Sequence, residues 1–183
     1  MIFIAKGPPG FFEKASFIRR KKGTETLHLT IREALLDDAP ALTDLLQSLE
    51  MFPHLQAEST EKVRRQVAEA LSQGQGGDGH SVYVAQTPKG EILGYCAVHW
   101  LPYLLFSGPE GYVSELFIRK EARGRGIGRR LLEAVKEEAE ERGCSRLMLL
   151  NLRHRESYQR GFYKKQGWEE RTEAANFILK FKG

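Results

Sequence analysis

The chain has 183 residues, 41% hydrophobic and 28% charged, with 28 Lys and Arg against 24 Asp and Glu. That balance excludes a disordered polyelectrolyte, and no apolar run approaches the ~20 residues of a membrane span. The +4 excess sits wholly in residues 1–26, where Lys6, Lys14, Arg19, Arg20, Lys21 and Lys22 face Glu13 and Glu25, so residues 27–183 are neutral and any nucleic-acid reading rests on that arm.

Residues 1–26 show no sustained period and end in Arg19-Arg20-Lys21-Lys22-Gly23. They are expected outside the fold, as an extension or a basic arm for a partner. Residues 27–183 are expected to form one domain. Residues 27–32 alternate apolar and polar, which predicts a first strand. Asp37 and Asp38 are placed to cap a helix that carries Leu42, Leu45, Leu46 and Leu49 on one face. The stretch from Met51 to His54 breaks it. Ser59 and Thr60 open a second helix with Val63, Val67 and Leu71 on its face. Two β-rich runs, 82–85 and 91–100, flank the turn Thr87-Pro88-Lys89-Gly90 and predict a hairpin. Residues 112–118 read as a further strand. A helix starting at Gly126 carries Ile127, Leu131, Leu132, Val135 and Ala139 on one stripe, and Gly143 closes it. A strand over 146–151, a short helix over 156–165 and a last strand over 177–181 complete the order. A hairpin-fed sheet flanked by helices implies a mixed α/β or α+β sandwich.

Cys96 and Cys144 lie in apolar surroundings without a CxxC spacing and read as reduced thiols of a cytoplasmic protein, with one disulfide between them as the other reading. The opening Met1-Ile2-Phe3-Ile4-Ala5 is broken too soon by Lys6 and Pro8-Pro9 for an export signal. The five histidines show no ligand spacing, so no metal is expected.

The chemistry concentrates between Glu115 and Leu132, where a strand runs through a turn with Gly124, Gly126 and Gly128 straight into a helix. A helix N-terminus presents unpaired N–H groups and a partial positive charge, and glycines let a phosphate approach them. Residues 119–130 hold Arg119, Lys120, Arg123, Arg125, Arg129 and Arg130 against Glu121, a local +5. A dinucleotide GxGxxG would need glycine at position 129, which is arginine, and GxxxxGK[ST] is absent.

The pattern Arg123-x-x-Gly126-x-Gly128 resembles the acetyl-CoA signature of the GNAT superfamily of N-acyltransferases. Phe162-Tyr163 followed by Gly167-Trp168 resembles the family's later motif, and the element order is also similar. The resemblance covers residues 27–183. It implies a mostly antiparallel mixed sheet with strands four and five splayed to admit the pantetheine arm of acetyl-CoA. The Leu116, Phe117 and Ile118 backbone would pair with that arm. Arg123, Gly124, Arg125, Gly126, Ile127, Gly128 and Arg129 would form the pyrophosphate loop. The family often has Asn seven residues before the motif's Tyr. Here Glu156 stands there, and Asn151 is the substitute for a pantetheine contact. The family's members are usually dimers, so the resemblance makes a homodimer one option and leaves the oligomeric state open.

Acetyl transfer to an amine needs a base for the ammonium proton, a donor for the oxyanion and an acid for the leaving thiolate. Glu115, beside the cofactor motif and at a position often acidic in the family, is the candidate base, acting through water. Val113 and Phe117 flank it on its own face, so partial burial is expected. Its other reading is a salt bridge or an anchor. Tyr163 is the candidate acid by resemblance, since a phenol matches a thiolate in basicity, and its other reading is packing. A strand-four amide, Leu116 or Phe117, is the candidate oxyanion donor. His99 is a second base or acceptor contact or a core histidine. Phe52, His54 and Trp100 either line the acceptor site or belong to the core. The expected reaction uses a small-molecule primary amine, with a protein amine and a non-catalytic acyl-CoA module as alternatives.

Overall fold

The computed structural model describes residues 28–74 and 79–181. The basic arm of residues 1–26 lies outside the described residues. Among the described residues, five strands form one sheet in chain order: β1 (Thr30–Glu33), β2 (His80–Gln86), β3 (Ile92–Leu101), β4 (Glu110–Ile118) and β5 (Arg146–Leu149). The first three pairings are antiparallel and β4 with β5 is parallel. Helices α1 (Ala39–Gln47), α2 (Pro53–Ala57) and α3 (Thr60–Gly74) precede β2. Helix α4 (Ile127–Glu141) links β4 to β5, and α5 (Glu156–Gln159) follows.

Strand β3 is buried from Ile92 to Val98, as an apolar run in the middle of a sheet must be. From Tyr95 to Trp100 alternation along it feeds two cores, and Ile92 joins the second across an irregularity in the β2 register. Cys96, Val98 and Trp100 meet Leu131, Leu132, Val135 and Ala139 of α4. Ile92, Tyr95 and Ala97 meet Leu42, Leu45 and Leu71 of α1 and α3. The apolar stripe of α4 is thus one wall of the sandwich. Gly143, at φ 64°, ends that helix, and the Cys144 N–H returns to the Ala139 carbonyl at 2.9 Å.

Ala97 pairs with Glu115 but Val98 pairs with Val113, so Ser114 is an extra residue and β4 bulges there. Pairing of β4 with β5 stops at Val113 and Leu149. Beyond that point the two strands part, and the edge of β4 from Ser114 to Ile118 that faces β5 has no ladder. The bulge and the parting position the site.

Several elements depart from expectation. The break at 51–54 instead opens α2, because Pro53 fits the first helical position, where no N–H is needed. Asp38 gives α1 no side-chain cap; its carboxylate takes Arg32 at 2.7 and 2.8 Å and the Leu35 N–H at 2.8 Å. The helix over 156–165 is only Glu156–Gln159, followed by turns and a 3-10 turn at Lys164–Gln166, since Gly161 at φ 64° interrupts it. Phe177–Phe181 is no strand: Phe177 is 90% and Phe181 86% exposed. A β-rich composition favours pairing but does not supply the partner. Cys96 and Cys144 are both free thiols.

Candidate active site

The parting of β4 from β5 opens a cavity of about 420 Å³. Its floor is Ser114 to Ile118 of β4, its far wall Leu149 to Leu152, and its rims are the loop into α4 and the segment around α5. Eleven expected residues line it: Glu115, Leu116, Phe117, Ile118, Arg123, Gly124, Gly126, Ile127, Gly128, Asn151 and Tyr163.

The α4 N-terminus forms one end. Gly124 (φ 76°) and Gly126 (φ 79°) sit in the left-handed region, and a Cβ on either would meet open space. These glycines are required by backbone conformation, and they leave the helix amides uncovered toward the cavity. Gly128 has a different reason: a Cβ there would lie 3.2 Å from the Phe162 ring. The arginines divide. Arg123 lines the cavity, with its Nε on the Ile118 carbonyl at 3.2 Å. Arg119 and Arg130 donate to the carbonyls of Ile92 and Leu29. Arg125 and Arg129 are outside the lining; Arg129 flanks a shallow surface with Ile31, Glu133 and Glu137.

Register sets Glu115 and Tyr163 on opposite faces. Leu116, opposite Cys96, packs toward α4, and Tyr163 belongs to the same cluster. Phe117, opposite Tyr95, packs toward α1 and α3. Glu115 shares that second face, where its Oε2 accepts the Tyr95 hydroxyl at 2.5 Å. Both groups open into one cavity through the gap between strands. Glu115 is exposed there, against the expected partial burial, because the bulge at Ser114 turns this stretch toward the cavity. Burial pushes the Tyr163 phenol up to about 12, with the neighbouring Cys96 adding to it. Its ring meets Phe162 and Trp168 edge-on.

Other expected residues lie elsewhere. Trp100 is buried against α4, its indole N–H on Ser81 Oγ at 3.0 Å and Arg142 above its ring, so it is a core residue away from the cavity. His99 stacks near His80 at 5.5 Å, and burial, with His80, pulls its imidazole down. His99, Phe52 and His54 are not in the cavity wall. Phe52 stands edge-on to both His54 and Phe117. Ser114, Arg155, Ser157 and Arg160 line the cavity outside the expected set, joined by Met51, which the sequence offers for an apolar pocket or the core. A second basic cluster, Arg153, Arg155, Arg160, Lys164 and Lys165 against Glu156, was the available signal for the arginines. Asn151 is held as an acceptor for Ser157 Oγ at 3.0 Å.

Residues 40–168 match the model of the acetyltransferase (GNAT) family, well over half of the chain. The chain belongs to the GNAT family. It is therefore an acyltransferase of the N-acetyltransferase type. An uncharacterized N-acetyltransferase of Bacillus subtilis (strain 168) is 28% identical over 152 residues, 82% of this chain and 97% of its own length. A thialysine N-epsilon-acetyltransferase of Bos taurus is 31% identical over 98 residues, 52% of this chain and 56% of that enzyme, so the match spans little over half of it. A solved transcriptional regulator from Bacillus halodurans C-125 superposes with a TM-score of 0.72 at 25% identity, covering 84% of this GNAT chain and all of that one.

Proposed function

We propose that this chain moves an acetyl group from acetyl-CoA to the primary amine of a small molecule, by direct attack with both substrates bound. The observation that carries the reading is one cavity with a carboxylate on one face of the sheet, a phenol on the other and an open helix N-terminus at its end. GNAT membership supports acetyl-CoA as the donor. The open space over Gly124 and Gly126 suits a pyrophosphate, and the free edge of β4 suits an amide-bearing arm added like a strand. The thialysine relative supports a small amine as acceptor.

In this reading the amine approaches from the Glu115 face. Glu115, through water, takes the ammonium proton, and the neutral amine attacks the thioester carbon. A β4 amide, Leu116 or Phe117, donates to the oxyanion. On collapse the C–S bond breaks, Tyr163 gives its proton to the departing sulfur, and the second amine proton leaves the nitrogen through water to reprotonate Tyr163, while Glu115 passes the first to solvent. Holding both reactants across one gap supplies much of the acceleration without a covalent enzyme intermediate.

The test is thiol release from acetyl-CoA with a panel of small amines, thialysine included, set against lysine-bearing and free N-terminal peptides. Turnover with small amines and none with peptides is expected. Turnover with peptides alone would replace the acceptor class.

A further inference from the structure

Tyr95 is a polar side chain in an apolar place. It is 4% exposed, sits among Leu42, Leu45, Val84 and Ile92, and its ring tilts against Phe117 at 5.9 Å. A phenol buried there costs free energy unless its hydroxyl is bonded. Its bond goes to Glu115 Oε2, 2.5 Å away, on the next strand and at the cavity wall. Glu115 pairs across the ladder with Ala97, a methyl-bearing neighbour too short to support a carboxylate. Tyr95 reaches past it from two residues away on the same face.

We propose that Tyr95 is a positioning residue for Glu115, the terminal member of an aromatic column that fixes one carboxylate oxygen and leaves the other for the acceptor. The inference rests on the reading of Glu115 as the base. The column starts at α2. The His54 ring meets Phe52 at 5.9 Å, Phe52 meets Phe117 at 5.4 Å, and Phe117 meets Tyr95. Both inner contacts join side chains of separate elements, so the column ties the segment before α2 to the sheet. An exposed glutamate alone samples many rotamers, and immobilising it in advance removes that entropy from the reaction. The phenol is a lasting donor: burial first, then the Glu115 charge and the bond itself, push its ionisation far upward.

The column also accounts for Phe52 and His54, which the sequence suggests as acceptor contacts and which stand outside the cavity wall. They act on the site through Phe117 and Tyr95.

The experiment is a double-mutant cycle on the full chain, Tyr95→Phe and Glu115→Gln alone and together. Thiol release from acetyl-CoA is followed with water alone as the acceptor and with thialysine added, and acetyl-CoA binding by calorimetry. Tyr95→Phe removes only the hydroxyl. It is expected to lower kcat about tenfold or more with acetyl-CoA affinity held, and to change kcat less than about twofold in the Glu115→Gln background. The same loss in both backgrounds, with Glu115→Gln itself impaired, leaves Glu115 as base and overturns the role of Tyr95. No loss in Tyr95→Phe does the same. Full activity of Glu115→Gln removes the base reading and this proposal with it. Should Tyr95→Phe not fold, as read by circular dichroism, Tyr95→Met enters the same cycle.

Discussion

Tyr163 is a phenol held in apolar surroundings at the cavity wall. Burial among Phe162 and Trp168 pushes its phenol up to about 12, and the proposed mechanism asks that phenol to donate its proton to the departing sulfur. Tyr163→Phe is expected to lower kcat more than about tenfold while acetyl-CoA affinity holds; unchanged turnover in a steady-state assay would remove the acid role. The same shift has a stability consequence. A phenol raised above its ordinary value of about 10 contributes fully below that pH and loses its contribution as pH rises toward about 12. Wild type is therefore expected to lose more stability than Tyr163→Phe between about pH 9 and 11 in denaturant titrations. Tyr163 was legible because it stands in a spaced motif. Tyr95 was not, because its partner is 20 residues away and meets it only through the β3–β4 register. Trp100 stayed open between acceptor site and core for the same reason: whether a residue near a strand end faces α4 or the cavity is a matter of register that composition does not carry.

Among elements, α4 was read with its boundaries because three signals agree there: glycines before it, a 3.6-residue apolar stripe, and Gly143 after it. Its N-terminus carries the second prediction. Gly126→Asp puts a carboxylate at a left-handed position against the helix amides. It is expected to abolish CoA binding by calorimetry with helix content kept, and retained affinity would overturn the anion cradle. The shorter elements were less legible. Helix α5 is four residues, too few for a period, and the break before α2 differs from a helix start only in the use of Pro53. The junction of β1 with α1 rests on Asp38, whose carboxylate Arg32 draws below its ordinary range, with the Leu35 amide adding to this. A group lowered in this way stabilises above its unfolded pKa and loses that contribution as pH falls through the folded one. Asp38→Asn is expected to cost about 2 kcal/mol at pH 7, measured by urea unfolding, with the difference from wild type shrinking below about pH 4.

For the molecule as a whole, the sandwich followed from the pattern of elements, while the cavity is a product of tertiary geometry. It exists because β5 pairs with β4 for only four residues and because Ser114 bulges out of the β3 ladder. Charge is the other whole-chain property, and it concentrates in two basic regions, residues 1–26 and 119–130. The +4 excess belongs to residues 1–26, outside the described residues, whereas the local +5 of residues 119–130 is partly engaged on the carbonyls of Ile92 and Leu29 and on Glu50. Arg123 and Arg160 remain in the cavity wall, the latter over the Phe162 ring at 5.1 Å. Charges that meet a cofactor's phosphates act at contact, and charges held away from them act only through a field that salt screens within about 10 Å. Deleting residues 1–26 is therefore expected to leave the KM for acetyl-CoA within about twofold at ordinary salt. Arg123→Gln with Arg160→Gln is expected to raise it about tenfold or more and to flatten its dependence on salt. Steady-state kinetics of both variants at about 0.05 and 0.3 M salt separate the two regions. A truncation that raised KM as much as the double substitution would make the arm part of the cofactor site.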